Sequence, residues 1–145
     1  MKRFQFRLEK LLEVRGFHER RAELVLAEKA GRCVALQTRL REVAESRHRT
    51  SREMFARGRG IEDYRAAGLF IMRLDRERDR LLEELARAEL EREAARADYL
   101  KKRTAREAVD KLKERRQEEY YHHAEREEIK ILDDLVTSRV AGARG

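Results

Sequence analysis

The residues of this chain whose types and spacing come nearest to chemistry are His122-His123, with Glu119 and Glu127 about one helical turn to either side. Imidazole and carboxylate are ordinary zinc donors, but on an exposed helix such a cluster is far more often solvated surface than a ligand set. Tyr120-Tyr121 beside it offers a stacking platform, although base readers usually present aromatics from sheets or pockets. Cys33 is the single cysteine. It excludes a disulfide framework or a thiolate metal cluster within one chain, and it fits a reducing, cytosolic compartment. No Gly-rich phosphate loop, metal-ligand spacing or nucleophile with a plausible base stands elsewhere. The expectation is a protein with no enzymatic activity, no metal and no cofactor, one that acts through its surfaces.

Those surfaces must be carried by helices. Proline is absent, and one compact break, Arg57-Gly58-Arg59-Gly60, separates two long stretches of helix-period sequence. This predicts an all-α fold: a single coiled-coil domain over 1–145, built as an antiparallel hairpin of two unequal helices. Helix 1 is expected over about 3–56, the turn over 57–61, helix 2 over about 62–139 and a frayed tail over 140–145. At about 1.5 Å per residue the helices would measure roughly 80 and 115 Å. Folding at the turn sets residue i against roughly residue 119 minus i, so that Arg3 meets Arg116 and Gln117 to Arg139 projects as a lone helix.

Three-four spacing marks the seam. In helix 1 it runs through Leu8, Leu12, Arg15, Glu19, Ala22, Leu26, Cys33, Leu36, Leu40, Val43, Arg47, Thr50 and Met54. Helix 2 answers with Ile71, Leu74, Arg78, Leu81, Leu85, Ala88, Arg92, Ala95, Tyr99, Lys102, Arg106 and Val109. Arginines on the seam weaken packing and set register, and alanines there bury little area. Gly16 and Gly31 each cost roughly 1 kcal/mol relative to alanine. Gly60 is placed to cap helix 2, and Glu62-Asp63 puts negative charge where the helix dipole favours it.

Composition agrees with an elongated molecule. With 45% of residues charged, 6% aromatic and a mean hydropathy of -0.89, there is too little apolar material for a thick core. The same numbers are a signature of disorder, but the strong helix formers and the periodic apolar residues oppose it. The net charge of +7 invites a nucleic-acid partner. However, residues 69–145 hold 19 basic and 19 acidic side chains, and the excess lies on helix 1, where residues 1–56 hold 14 against 8, and on the turn. Acids and bases alternate at helical spacing, as in Glu28 and Arg32 or Glu107 and Lys111, which reads as a solvated face. The opening segment has no apolar run of signal-peptide type. The longest such run, Ala66 to Met72, is far short of a transmembrane segment, so any membrane association would be peripheral.

Two stretches stand out as surfaces. Tyr121, Ala124, Glu128, Ile131 and Leu135 continue the stripe where helix 1 has ended, and Ile129, Ile131, Leu132, Leu135 and Val136 make this the most apolar part of the second half. It should dock on something. Just after the turn, Phe70, Leu74, Glu77 and Leu81 share one helical face, although Leu74 and Leu81 also count in the seam.

The motif Phe6-Arg7-Leu8-Glu9-Lys10-Leu11-Leu12-Glu13-Val14-Arg15, with Lys113-Glu114-Arg115-Arg116, Glu128 and Leu132-Asp133-Asp134-Leu135 near the other end, resembles the FliJ family of the bacterial flagellar export apparatus. The resemblance extends over nearly the whole chain in length, hairpin plan and turn position. It implies a stalk in the central pore of the hexameric flagellar export ATPase, in the manner of the central shaft of rotary ATPases. The cytoplasmic part of the inner-membrane export gate would be a second partner, and export chaperones a further class. The family also has a general chaperone or escort role for exported substrates. This places the protein in the cytoplasm, peripherally at the inner membrane of the flagellar base, in motility and chemotaxis. The resemblance makes Arg7, Leu8, Leu11, Arg15, Arg116, Glu128, Ile131, Leu132, Asp133, Asp134 and Leu135 the ring-binding set. Phe70, Leu74, Glu77 and Leu81 become the gate-binding set, with Glu77 standing where the family presents a small residue. The stalk of a virulence type III secretion ATPase shares this architecture. A basic scaffold that binds nucleic acid would show steep salt dependence. A membrane-surface or self-associating coiled coil would draw on Phe4, Leu8, Leu11 and Leu12.

Overall fold

The computed structural model describes residues 2–56 and 58–145, so Arg57 of the expected turn lies outside the described residues. Two helices account for the fold: α1 (Glu9–Met54, 46 residues) and α2 (Ile61–Ala143, 83 residues). They pack antiparallel as a helical hairpin in which α2 is much the longer. By contacts the chain forms two compact units: Arg20–Leu100, and the residues up to Glu19 together with Lys101–Gly145.

The unit Arg20–Leu100 holds the turn and most of the seam. Ala22, Cys33 and Val43 of α1 and Leu74, Leu81 and Ala88 of α2 are buried, all at positions where the three-four stripe put them. Val43, Leu74 and Leu81 form one cluster, with Leu36 and Leu40 packed against it. Charged pairs cross the seam outside this apolar line. Lys29 Nζ donates to Glu91 Oε2 at 3.1 Å, Arg39 to Glu77 Oε1 at 2.6 and 3.0 Å, and Arg47 Nε to Asp75 Oδ1 at 2.8 Å. The residue numbers of each pair agree with the register expected from folding at the glycine break.

The break itself is specified by two glycines with different tasks. Gly58 adopts φ +88°, a left-handed conformation that a side chain resists. Gly60 is the cap of α2: its carbonyl accepts the Tyr64 N–H at 3.2 Å, and its own N–H donates to Asp63 Oδ2 at 3.3 Å. That second bond is the reciprocal half of a capping box, and it holds a carboxylate at the positive end of the helix.

In the other unit the seam is more polar. Val109 is buried, while Leu12 and Leu112 are half-buried. Arg15 Nη1 donates to the Ala105 carbonyl at 2.8 Å, which satisfies a guanidinium inside the interface. Arg106 bridges Glu19 across the seam and Asp110 one turn along its own helix. The bond to Glu19 raises its pKa, so the arginine stays charged there. Lys113 Nζ meets Glu9 Oε2 at 2.8 Å. Of the expected seam arginines, Arg15, Arg47 and Arg106 have partners on the other helix, whereas Arg78 pairs only within α2, with Asp75 and Asp79.

Two boundaries differ from the sequence expectation: α2 runs on to Ala143, four residues past Arg139 and into the expected frayed tail, and α1 starts at Glu9, six residues after Arg3. The Glu9 N–H donates to the Phe6 carbonyl at 3.2 Å, a tight turn that opens the helix. Ahead of it, the Phe4 ring lies 5.5 Å from the Tyr120 ring, and the Tyr120 hydroxyl donates to the Lys2 carbonyl at 2.5 Å. Packing of an aromatic pair outweighs the helical preference of a short terminal segment, which is small.

Candidate functional site

All eleven residues of the expected ring-binding set lie in the unit that combines the N-terminal segment with Lys101–Gly145. They divide into two groups. Arg7, Leu8 and Arg116 line one groove with Phe4, Gln5, Phe6 and Leu112. Leu8 and Leu11 are exposed. Arg15, by contrast, is half-buried and donates to the Ala105 carbonyl across the seam, so it does not line this groove.

The second group sits on α2 beyond Tyr120. From Glu125 to Gly145 every residue is exposed. Among the described residues, no hydrogen bond or ion pair joins a residue after Tyr120 to residues 2–56. At about 100° per residue, Ile129, Ile131, Leu132, Leu135, Val136 and Val140 cover roughly one half of the helix circumference, with Glu128 inside that half. Asp134, Lys130 and Thr137 lie on the other half, and Asp133 stands at the border beside Val140. Among the described residues Asp133 and Asp134 form no ion pair. The result is a largely apolar half-face, interrupted by Glu128 and Arg139, with the unpaired Asp133 carboxylate at its border. Val140 extends the stripe one turn past the residues recognised from the sequence, and its i+4 spacing from Val136 was the available signal.

The expected gate-binding set is not one open face. Leu74 and Leu81 are buried in the cluster with Val43, and Glu77 is held by Arg39. Only Phe70 is exposed, in a groove it shares with Thr50, Met54 and Arg59. Seam positions and a partner face share the same heptad spacing, and burial separates them here.

The histidine cluster is equally occupied. His122 lies between Glu125 and Arg126, Glu119 takes Arg116, and Glu127 takes Lys130. Tyr120 turns back to Phe4. Among the described residues, no group of three or more His, Cys, Asp or Glu is placed to hold a metal ion.

A family model described as flagellar FliJ protein matches residues 4–145. The chain belongs to the FliJ family. No curated protein and no solved structure matched it. FliJ membership makes this chain a non-enzymatic component of flagellar biogenesis and of the flagellar protein export apparatus. No helix among the described residues is long and apolar enough to cross a membrane.

Proposed function

We propose that this FliJ-family chain is the central stalk of the hexameric flagellar export ATPase, and that it couples that ring to the cytoplasmic part of the export gate. The observation that carries the reading is the exposed stripe from Ile129 to Val140, which no residue of α1 covers. An isolated helix in water has no reason to carry six large aliphatics on one half of its surface. Inside a ring they bury, while Asp133, Asp134, Arg7 and Arg116 select orientation through charge.

The mechanism is allosteric. A single stalk in a six-fold pore meets the six subunits unequally, so its binding free energy favours the assembled ring and biases the ATPase sites differently. The chain supplies no catalytic group. The gate contact falls to Phe70, with Leu74, Glu77 and Leu81 holding the helix beneath it. Escort of export chaperones is a further role of the same cytoplasmic component.

Charge reversal tests the ring contact. Asp133→Lys with Asp134→Lys should weaken co-purification with the export ATPase and reduce its stimulation by the stalk, with melting temperature and helicity unchanged because both carboxylates lack intrachain partners. Unchanged ring binding with intact helicity would remove these residues from the interface.

A further inference from the structure

We propose that the outer face of the first four turns of α2 docks on an anionic lipid bilayer surface. Ile61, Leu69 and Met72 are 71%, 60% and 53% exposed, although a helix in the middle of a water-soluble hairpin has a buried seam available for such residues. At about 100° per residue the three fall within roughly 80° of one another, on the side away from the seam. Arg65 and Arg76 lie inside the same arc and Arg73 flanks it. Among the described residues, Arg73 and Arg76 form no ion pair.

Over Ile61–Arg76, which holds the proposed face, there are three arginines and three acids, but their partners differ. The three acids are engaged: Asp75 by Arg47, Asp63 by the Gly60 N–H, and Glu62, at 3.6 Å, by Arg65. At the adjoining turn Phe55 is also exposed, its ring 6.0 Å from that of Tyr64. Aliphatics spaced along a helix and interleaved with arginines are the pattern of an interfacial helix. The apolar side chains enter the headgroup boundary, and the guanidinium groups reach the phosphates on long stems. A protein partner would call for an aromatic anchor at the centre of the patch, and none stands in this arc. Anionic headgroups also match Arg73 and Arg76, the two arginines without an ion-pair partner among the described residues. This inference does not rest on ring binding, which uses the other unit, so either can fail alone.

The test is co-flotation of the full chain with vesicles of phosphatidylglycerol in phosphatidylcholine and with pure phosphatidylcholine vesicles. The chain should float with the anionic vesicles, stay behind with the neutral ones, and be released by salt. Arg65→Gln with Arg73→Gln and Arg76→Gln should weaken binding on the order of a hundredfold, about fivefold per arginine. Leu69→Ser with Met72→Ser should weaken it about tenfold or more. All five side chains are on the surface, so both variants should keep wild-type melting. Failure to float with anionic vesicles would overturn the proposal. So would wild-type binding by both variants, which would move the contact elsewhere, for instance to the basic segment before α1.

Discussion

Phe70 and Leu81 share a helical face in sequence, and the structure gives them opposite roles that one experiment can separate. Leu81 is 5% exposed against Val43 and Leu74. Leu81→Ala removes three carbon groups from that cluster, at about 0.8 kcal/mol each. A seam only two helices thick can partly collapse on the gap, so the added cavity cost is small and the total is about 2–3 kcal/mol. For a chain of this size that is a fall of roughly 6–10 °C in melting temperature. Phe70 packs with only part of its ring, and Phe70→Ala should cost about 1 kcal/mol or less. The assay pairs a thermal melt followed by circular dichroism with binding to the cytoplasmic part of the export gate, well below both melting points. Phe70→Ala should lose gate binding with near wild-type melting, and Leu81→Ala should lower melting while keeping gate affinity. The reasoning fails if Leu81→Ala melts like wild type, or if Phe70→Ala binds the gate undiminished.

Glycine replacements should split by sign. A Cβ at Gly31 or Gly68 meets nothing within 4 Å, so alanine at either should stabilise the hairpin by about 0.5–1 kcal/mol, whereas Gly58→Ala, at φ +88°, should destabilise it, all read by urea titration. Acid should weaken the hairpin. The Arg47 hydrogen bond holds the Asp75 carboxyl below its ordinary range, and Lys29 does the same for Glu91. Depressed carboxyl pKa values contribute stability above the unfolded-state range, and that stability is lost as pH falls through the folded values. Melting temperature should therefore drop below about pH 4, and Asp75→Asn should flatten part of that dependence.

The seam was legible because its spacing is an unambiguous periodic signal. Cys33, Val43, Leu74, Leu81, Ala88 and Val109 were all on the stripe and are all buried. The turn was legible because glycine is the residue that a positive φ selects. The start of α1 was not, because Phe6-Arg7-Leu8 is locally helical in character, and the contacts that hold the chain out of the helix come from Tyr120, far away in sequence. The shared face of Phe70, Leu74, Glu77 and Leu81 was legible, but periodicity alone cannot say which side of a heptad is covered, and Leu74 and Leu81 are buried in the seam. The stripe through Ile61, Leu69 and Met72 lies outside the seam, so seam periodicity does not report it, although apolar residues on the outer side of a coiled coil are themselves a signal.

The cross-helix ties also order the folding of the molecule in time. Asp75 closes on Arg47 over 28 residues, Glu77 on Arg39 over 38, Glu91 on Lys29 over 62, Glu19 on Arg106 over 87 and Tyr120 on Lys2 over 118. Formed singly from the open chain, the outer ties would carry a growing loop-closure cost; formed in sequence from Gly58 outward, each closes only the short loop left by the one before. Zipping from the turn is therefore the cheapest order, and on it the amides beside the Phe4–Tyr120 clasp should exchange sooner than those around Val43 and Leu81. A tie that closes a long loop late gives little to the early stages of folding, so Tyr120→Phe, which removes the bond to the Lys2 carbonyl, should speed unfolding and leave the folding rate nearly unchanged.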